Sequence, residues 1–79
     1  MEPRLTFKYD RKGDILYINK CDPYPRQESE ELGEGVIARM NPDTKDIENI
    51  EVLFFSTRLL SNELFELPII ADLHLKRAV

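Results

Sequence analysis

The densest set of side chains with possible chemistry lies across the first predicted hairpin, in the pattern Y-D-x-x-x-D-x-x-Y. This set contains Tyr9, Asp10, Asp14 and Tyr17. Paired carboxylates can divide acid and base roles, and they can hold Mg²⁺ when substrate phosphates supply further ligands. The simpler interpretation is structural. Turn aspartates accept hydrogen bonds from nearby amides, and strand tyrosines pack their rings while their hydroxyls remain in contact with water. We favour the structural interpretation over a metal-assisted hydrolase using Asp10 and Asp14.

Ser56 and Arg58 follow the most apolar run of the chain, where a strand is expected to meet a helix. Such a turn can present backbone amides to an anion, but no glycine-rich phosphate loop precedes it here. We therefore expect Ser56 to cap the helix and Arg58 to lie on the surface. The candidate functional or interface cluster contains six residues: Tyr9, Asp10, Asp14, Tyr17, Ser56 and Arg58.

Histidine and cysteine each occur once, as His74 and Cys21. The chain has almost none of the side chains that form a catalytic triad or dyad. A single chain with these residues also cannot build the usual Cys/His zinc site. We predict no catalytic residue, no metal and no cofactor, and a structural histidine. A single cysteine excludes an intrachain disulfide and agrees with a reducing compartment, so we expect a cytoplasmic protein.

The chain has 79 residues and a net charge of −4, which leaves room for a single domain, residues 1–79. Residues 21–34 contain five acidic side chains and one basic one, so the net charge of this segment equals that of the whole chain. This acidic block is interpreted either as a solvated loop or edge strand, or as a docking surface for a basic partner. The few, mixed basic residues at the N-terminus disfavour nucleic-acid binding. No apolar run has the roughly 20 residues that cross a bilayer.

Hydrophobic periodicity predicts an antiparallel sheet of four to five strands built from hairpins. Residues 5–10, 15–19 and 36–40 are predicted strands, and 47–55 is the central one. Gly13 suits the left-handed position of a three-residue loop in the first hairpin. Asn41-Pro42-Asp43 favours a type I turn between the third strand and the central one. Residues 27–32 fit a short edge strand or a loop.

The C-terminal part of the chain is predicted to supply one helix, which gives a small α+β fold. Leu59, Leu60 and Leu64 repeat at helical spacing before Pro68, and this leucine face is expected to pack on the sheet. Residues 69–76 fit either a strand or a helix, and we favour the strand. The pattern does not decide whether residues 69–79 stay with their own subunit.

The first hairpin and the central strand together resemble a small bacterial and archaeal family, domain of unknown function number 2283. The matching residues are Tyr9-Asp10, Asp14 to Ile18, Gly35 to Ile37, and Ile50 to Leu53 followed by Ser56 and Arg58. The resemblance covers about residues 5–60 and implies a compact antiparallel sheet with helical packing. It supplies no activity or cofactor. Genes of this family often adjoin genes for small toxin-like proteins, which hints at a neutralising role.

The leading functional hypothesis is a small binding protein that forms a homodimer. Residues 15–19 and the far end of the central strand are apolar on both faces, and little else in the chain covers them. The second hypothesis is an acidic, antitoxin-like protein whose Glu28 to Glu34 segment docks on a basic partner.

Overall fold

A computed structural model describes residues 4–61 and 66–75 of the chain. Its elements are β1 (Thr6–Asp10), β2 (Ile15–Asn19), β3 (Glu28–Gly33), β4 (Val36–Met40), β5 (Ile47–Leu53) and α1 (Phe55–Ser61). The strands form one antiparallel sheet in the order β1-β2-β5-β4-β3. The predicted α+β fold, an antiparallel sheet with one helix, is confirmed, and β3 is an edge strand, which is one of the two alternatives stated for residues 27–32.

β5 occupies the centre of the sheet, as its apolar sequence predicts. Val52 pairs with Leu16 on one side and with Val36 on the other. The strand ends at Leu53, two residues before the predicted end, because Phe54 has a φ of 54°. A left-handed residue turns the chain out of the strand and directly into α1.

The hydrophobic core lies on one face of the sheet and is small. Its buried apolar residues are Val36, Ala38, Ile50 and Val52. Partly buried side chains surround this centre: Leu16, Ile18, Leu32, Ile47, Phe55, Leu67 and Ile69. The opposite face is polar along β5, where Glu51 forms an ion pair of 3.3 Å with Arg39. The core therefore depends on a single layer of cover from the helix and the C-terminal segment.

The β1–β2 turn differs from the prediction. Asp14, and not Gly13, adopts the left-handed conformation, with a φ of 56°. Aspartate tolerates this region because its short polar side chain makes compensating local hydrogen bonds. The β4–β5 turn does form at the predicted place, where Asn41 Oδ1 accepts hydrogen bonds from the amides of Asp43 and Thr44 at 2.8 and 3.0 Å.

Two expectations for the C-terminal part are wrong. Leu59 and Leu60 do not pack on the sheet and are 67% and 85% exposed, while Leu64 lies outside the described residues. Residues 69–75 form neither strand nor helix. Leu67 and Ile69 pack against the core cluster, whereas Ile70, Leu73 and Leu75 are exposed. Residue 76 lies outside the described part.

Candidate functional site

Asp14 joins the end of the first hairpin to the start of α1. Its backbone oxygen accepts from the amide of Phe55 at 3.1 Å. Its Oδ1 accepts from the Ser56 amide at 3.0 Å and from the Tyr9 hydroxyl at 2.5 Å, and its Oδ2 accepts from Ser56 Oγ at 2.7 Å. We call Tyr9, Asp14 and Ser56 the Asp14 network. The Asp14 carboxylate, and not the Ser56 hydroxyl, supplies the side-chain acceptor for the first turn of the helix.

The hydrogen bonds of the Asp14 network shift the pKa values of Asp14 and Tyr9. The Tyr9 hydroxyl, followed by the hydroxyl and amide of Ser56, lowers the pKa of Asp14. The hydrogen bond to Asp14 raises the pKa of Tyr9. Each donor stabilises the charged carboxylate, and that charge opposes ionisation of the phenol. At neutral pH the pair is a phenol bound to a carboxylate, an arrangement that supports a fixed cap better than a general base.

Arg58 lies in α1 but reaches back to the sheet. Its Nε donates to the backbone oxygen of Leu53 at 3.0 Å, and its Nη2 donates to the backbone oxygen of Glu34. Gly35 permits this approach, because a Cβ atom there would lie 3.0 Å from Arg58 Nη2. The expected surface role for Arg58 is therefore wrong: the guanidinium fastens the β3–β4 turn to the end of β5.

Asp10 and Tyr17 stay outside the Asp14 network. Asp10 Oδ1 accepts from the Lys12 amide at 3.1 Å, as a turn aspartate does. Tyr17 pairs with Lys8 and Glu51 in register, on the polar face. Both residues contribute to an open groove beside the hairpin, lined by Lys8, Tyr9, Asp10, Arg11, Lys12, Tyr17, Asn19, Asp22 and Pro23. The structure thus unites three of the six predicted residues and places Arg58 next to them on α1.

A second polar network, which the sequence patterns did not identify, lies at the other end of β5. Glu48 Oε1 accepts from the Tyr24 hydroxyl at 2.6 Å and from Gln27 Nε2 at 3.0 Å. Gln27 Nε2 also donates to Asn49 Oδ1 at 2.6 Å. These contacts bind the loop between β2 and β3 to the first residues of β5.

Asn49 is the buried centre of this Asn49 network, which comprises Asn49, Glu48, Gln27, Tyr24 and Asn19. Its side chain donates through Nδ2 to Asn19 Oδ1 at 2.9 Å and to the backbone oxygen of Cys21 at 2.7 Å. The residue is only 2% exposed. An asparagine inside the most apolar strand was the available signal, but alternation alone assigned it to a polar face.

The Asn49 network also shifts two acidities. The hydrogen bond to Glu48 raises the pKa of Tyr24 to about 12, and the Tyr24 hydroxyl, followed by Gln27, lowers the pKa of Glu48. The carboxylate is thereby held in its ionised form, as Asp14 is at the opposite end of β5. Both networks use a tyrosine hydroxyl and a carboxylate to attach an irregular segment to the sheet.

Neither the single histidine nor the single cysteine contributes its side chain to the Asp14 network or the Asn49 network. The His74 side chain is 81% exposed, with Nε2 3.2 Å from Asp72 Oδ1. Cys21 is a free, exposed cysteine whose pKa is raised, mainly by partial burial of the thiol, which disfavours the reactive thiolate. Among the described residues, no group of three or more His, Cys, Asp or Glu side chains is placed to hold a metal ion. No helix within the described part is long and apolar enough to cross a membrane.

Comparison with protein families finds a match. The sequence model of a family described as "Protein of unknown function (DUF2283)" matches residues 6–56, from β1 into α1. Nothing among curated proteins or among solved structures matches significantly. The matched range includes every residue of both networks, and it confirms the resemblance drawn from the hairpin and the central strand.

Proposed function

This chain belongs to the DUF2283 family of proteins of unknown function, and we propose that it acts by binding, with a second copy of itself as its first partner. The observation that carries the proposal is the large apolar surface outside the core. Large hydrophobic side chains that are 43–102% exposed include Leu5, Phe7, Tyr9, Phe54, Leu59, Leu60, Ile70, Leu73 and Leu75. Stable monomers rarely leave so many large apolar groups in water.

The total accessible surface supports the same proposal. It measures 6770 Å², whereas a compact monomer of 9.3 kDa exposes about 5,000 Å². The difference, about 1,800 Å² for one chain, exceeds the roughly 800 Å² that each partner of a standard-sized interface buries on association. The excess exposed area is therefore more than enough to hold a homodimer interface.

The polar residues favour binding over catalysis. Asp14 already accepts three hydrogen bonds through its carboxylate, and Asp10 caps its own turn. A hydrolase using both carboxylates with Mg²⁺ would have to break the bonds that hold α1 to the hairpin. The free thiol of Cys21 suits the reducing cytoplasm, where we place the protein.

Molar mass by light scattering across a hundredfold dilution, with circular dichroism on the same samples, tests the proposal. We expect twice the chain mass of 9.3 kDa at high concentration, with dissociation accompanied by loss of structure. A folded monomer at every concentration would contradict it.

A second candidate function is docking of a basic partner on the acidic edge of the sheet. Lys45 Nζ binds Glu28 at 2.7 Å, whereas Glu30 and Glu31 are exposed and enter no ion pair with the described residues. Complementary charge would speed the encounter and make it salt-sensitive. A basic protein that co-purifies from the native host should lose affinity when Glu30 and Glu31 are replaced by lysine. Unchanged binding of the purified pair would exclude this surface.

A further inference from the structure

The two edges of the sheet differ in how well they are protected against pairing. β3 contains Glu28, Glu30 and Glu31, and its register shifts between Glu31 and Gly33. Charges and bulges of this kind discourage an edge from adding another strand. β1, at the opposite edge, has a regular register with β2 and only Lys8 and Asp10 as charged residues. Within residues 4–61 and 66–75 no second strand pairs with β1, so β1 is the edge that is open to a further strand.

β1 also carries an apolar stripe at this open edge. Leu5, Phe7 and Tyr9 alternate along the strand and its N-terminal extension, so they share one face of the sheet. They are 48%, 63% and 43% exposed. The Tyr9 ring meets Phe55 with a centroid distance of 5.9 Å, which connects the stripe to the side chains around the core.

From these observations we propose that two copies join through antiparallel pairing of their β1 edges, with Phe7 of one copy opposite Phe7 of the other. This inference rests on the proposed homodimer and specifies its interface. A two-fold axis perpendicular to the sheet at Phe7 gives one continuous ten-stranded sheet. The apolar stripes of the two copies then lie side by side on the core face.

Charge favours this register over the neighbouring one centred on Lys8. With Phe7 at the centre, Leu5 lies opposite Tyr9 and Arg4 lies opposite Asp10, each twice by symmetry. Lys8 then faces Thr6 of the second copy. A register centred on Lys8 would place two ammonium groups directly opposite each other, which destabilises a strand pair.

A cysteine cross-link tests the register. In a Cys21→Ser background, Phe7→Cys places two thiols opposite each other, where strand geometry gives a Cα separation of about 4.5–5.5 Å. That separation lies within the range of about 4.4–6.8 Å that a disulfide spans. We expect most of the protein to become a covalent dimer on mild oxidation, and to keep its circular dichroism spectrum.

Lys8→Cys in the same background is the matched control. In the proposed register, position 8 of one copy is a diagonal neighbour of position 8 of the other. Their separation of about 7–8 Å is too long for a disulfide to form readily. Cross-linking of Lys8→Cys with little from Phe7→Cys would overturn the register in favour of one centred on Lys8. A non-covalent dimer with neither cross-link would overturn the proposed β1 pairing and leave the proposed homodimer standing. A folded monomer would overturn both.

Charge reversal gives a second test that does not depend on oxidation. Arg4→Asp and Asp10→Arg should each raise the dissociation constant by about tenfold, because each creates two like-charge pairs. An equimolar mixture of the two variants should restore affinity, since the mixed dimer again has opposite charges at both positions. Equal affinity of the single variants and the mixture would contradict the proposed pairing.

Discussion

The Asp14 and Asn49 networks use similar chemistry at opposite ends of the sheet, but one is open to solvent and the other has a buried centre. Each joins a tyrosine hydroxyl to a carboxylate and holds an irregular segment against β5 or its continuation. Asp14 makes its contacts on the exposed side, whereas Asn49 is 2% exposed. The comparison teaches that burial decides what loss of a polar group costs, because water replaces a lost partner only where it can enter.

Replacement of Asn49 should have the largest effect on stability. Asn49→Ala removes the donor to Asn19 Oδ1 and to the Cys21 carbonyl, and it removes one of the two acceptors of Gln27 Nε2. We expect a loss of about 2–3 kcal/mol in the free energy of unfolding by urea, at fixed protein concentration. Ser29→Ala, on an exposed strand, is the control and should change stability by less than about 0.5 kcal/mol. Equal effects of the two would show that Asn49 is not a structural centre.

A substitution beside Arg58 should have the next largest effect. Gly35→Ala puts a Cβ atom on a residue with φ 73°, 3.0 Å from Arg58 Nη2, and should cost about 1–2 kcal/mol. Gly33→Ala is a matched control, since nothing lies within 4 Å of its added Cβ. Urea unfolding of the two variants measures the difference. If Gly33→Ala were the more harmful of the two, the attachment of the β3–β4 turn by Arg58 would lose its support.

The two carboxylates should make the fold sensitive to acid. The pKa values of Asp14 and Glu48 are both lowered in the folded state, so their stabilisation is complete above the unfolded pKa of about 4. It is lost as pH falls through the folded values. We expect Tm to fall with pH below about 4, and Asp14→Asn and Glu48→Gln each to reduce this dependence while lowering Tm at neutral pH. A pH dependence unchanged by either variant would contradict the assigned roles.

Loss of one hydroxyl from the Asn49 network should have the smallest effect. Tyr24→Phe removes the donor to Glu48 and should lower Tm slightly, because Gln27 still donates to the same carboxylate. Tyrosine ionisation followed by ultraviolet absorbance should lose a component with a pKa of about 12 in this variant. Tyr9→Phe is the matched change in the Asp14 network. A titration curve that kept this component would place the raised pKa on a different tyrosine.

Local patterns predicted much of the fold because the sheet is built from hairpins. Alternation identified the strands, and the Asn41 turn set the link from β4 to β5. The prediction failed where a distant contact overrode a local preference. Asp14 took the left-handed position expected of Gly13 because Tyr9 and Ser56 bind its carboxylate there.

The candidate site was predicted in part, for a related reason. Tyr9 and Asp14 are five residues apart, so a hairpin brings them together, and the sequence pattern indicated them. Asn49 binds residues about thirty positions away, and no local spacing records such a contact. Sequence alone determined four of the five strands, the Asn41 turn and the acidic block, since these follow from neighbouring residues. Only the tertiary structure decided which polar groups are buried, where Arg58 reaches and which edge stays open, because each depends on segments that meet only after folding.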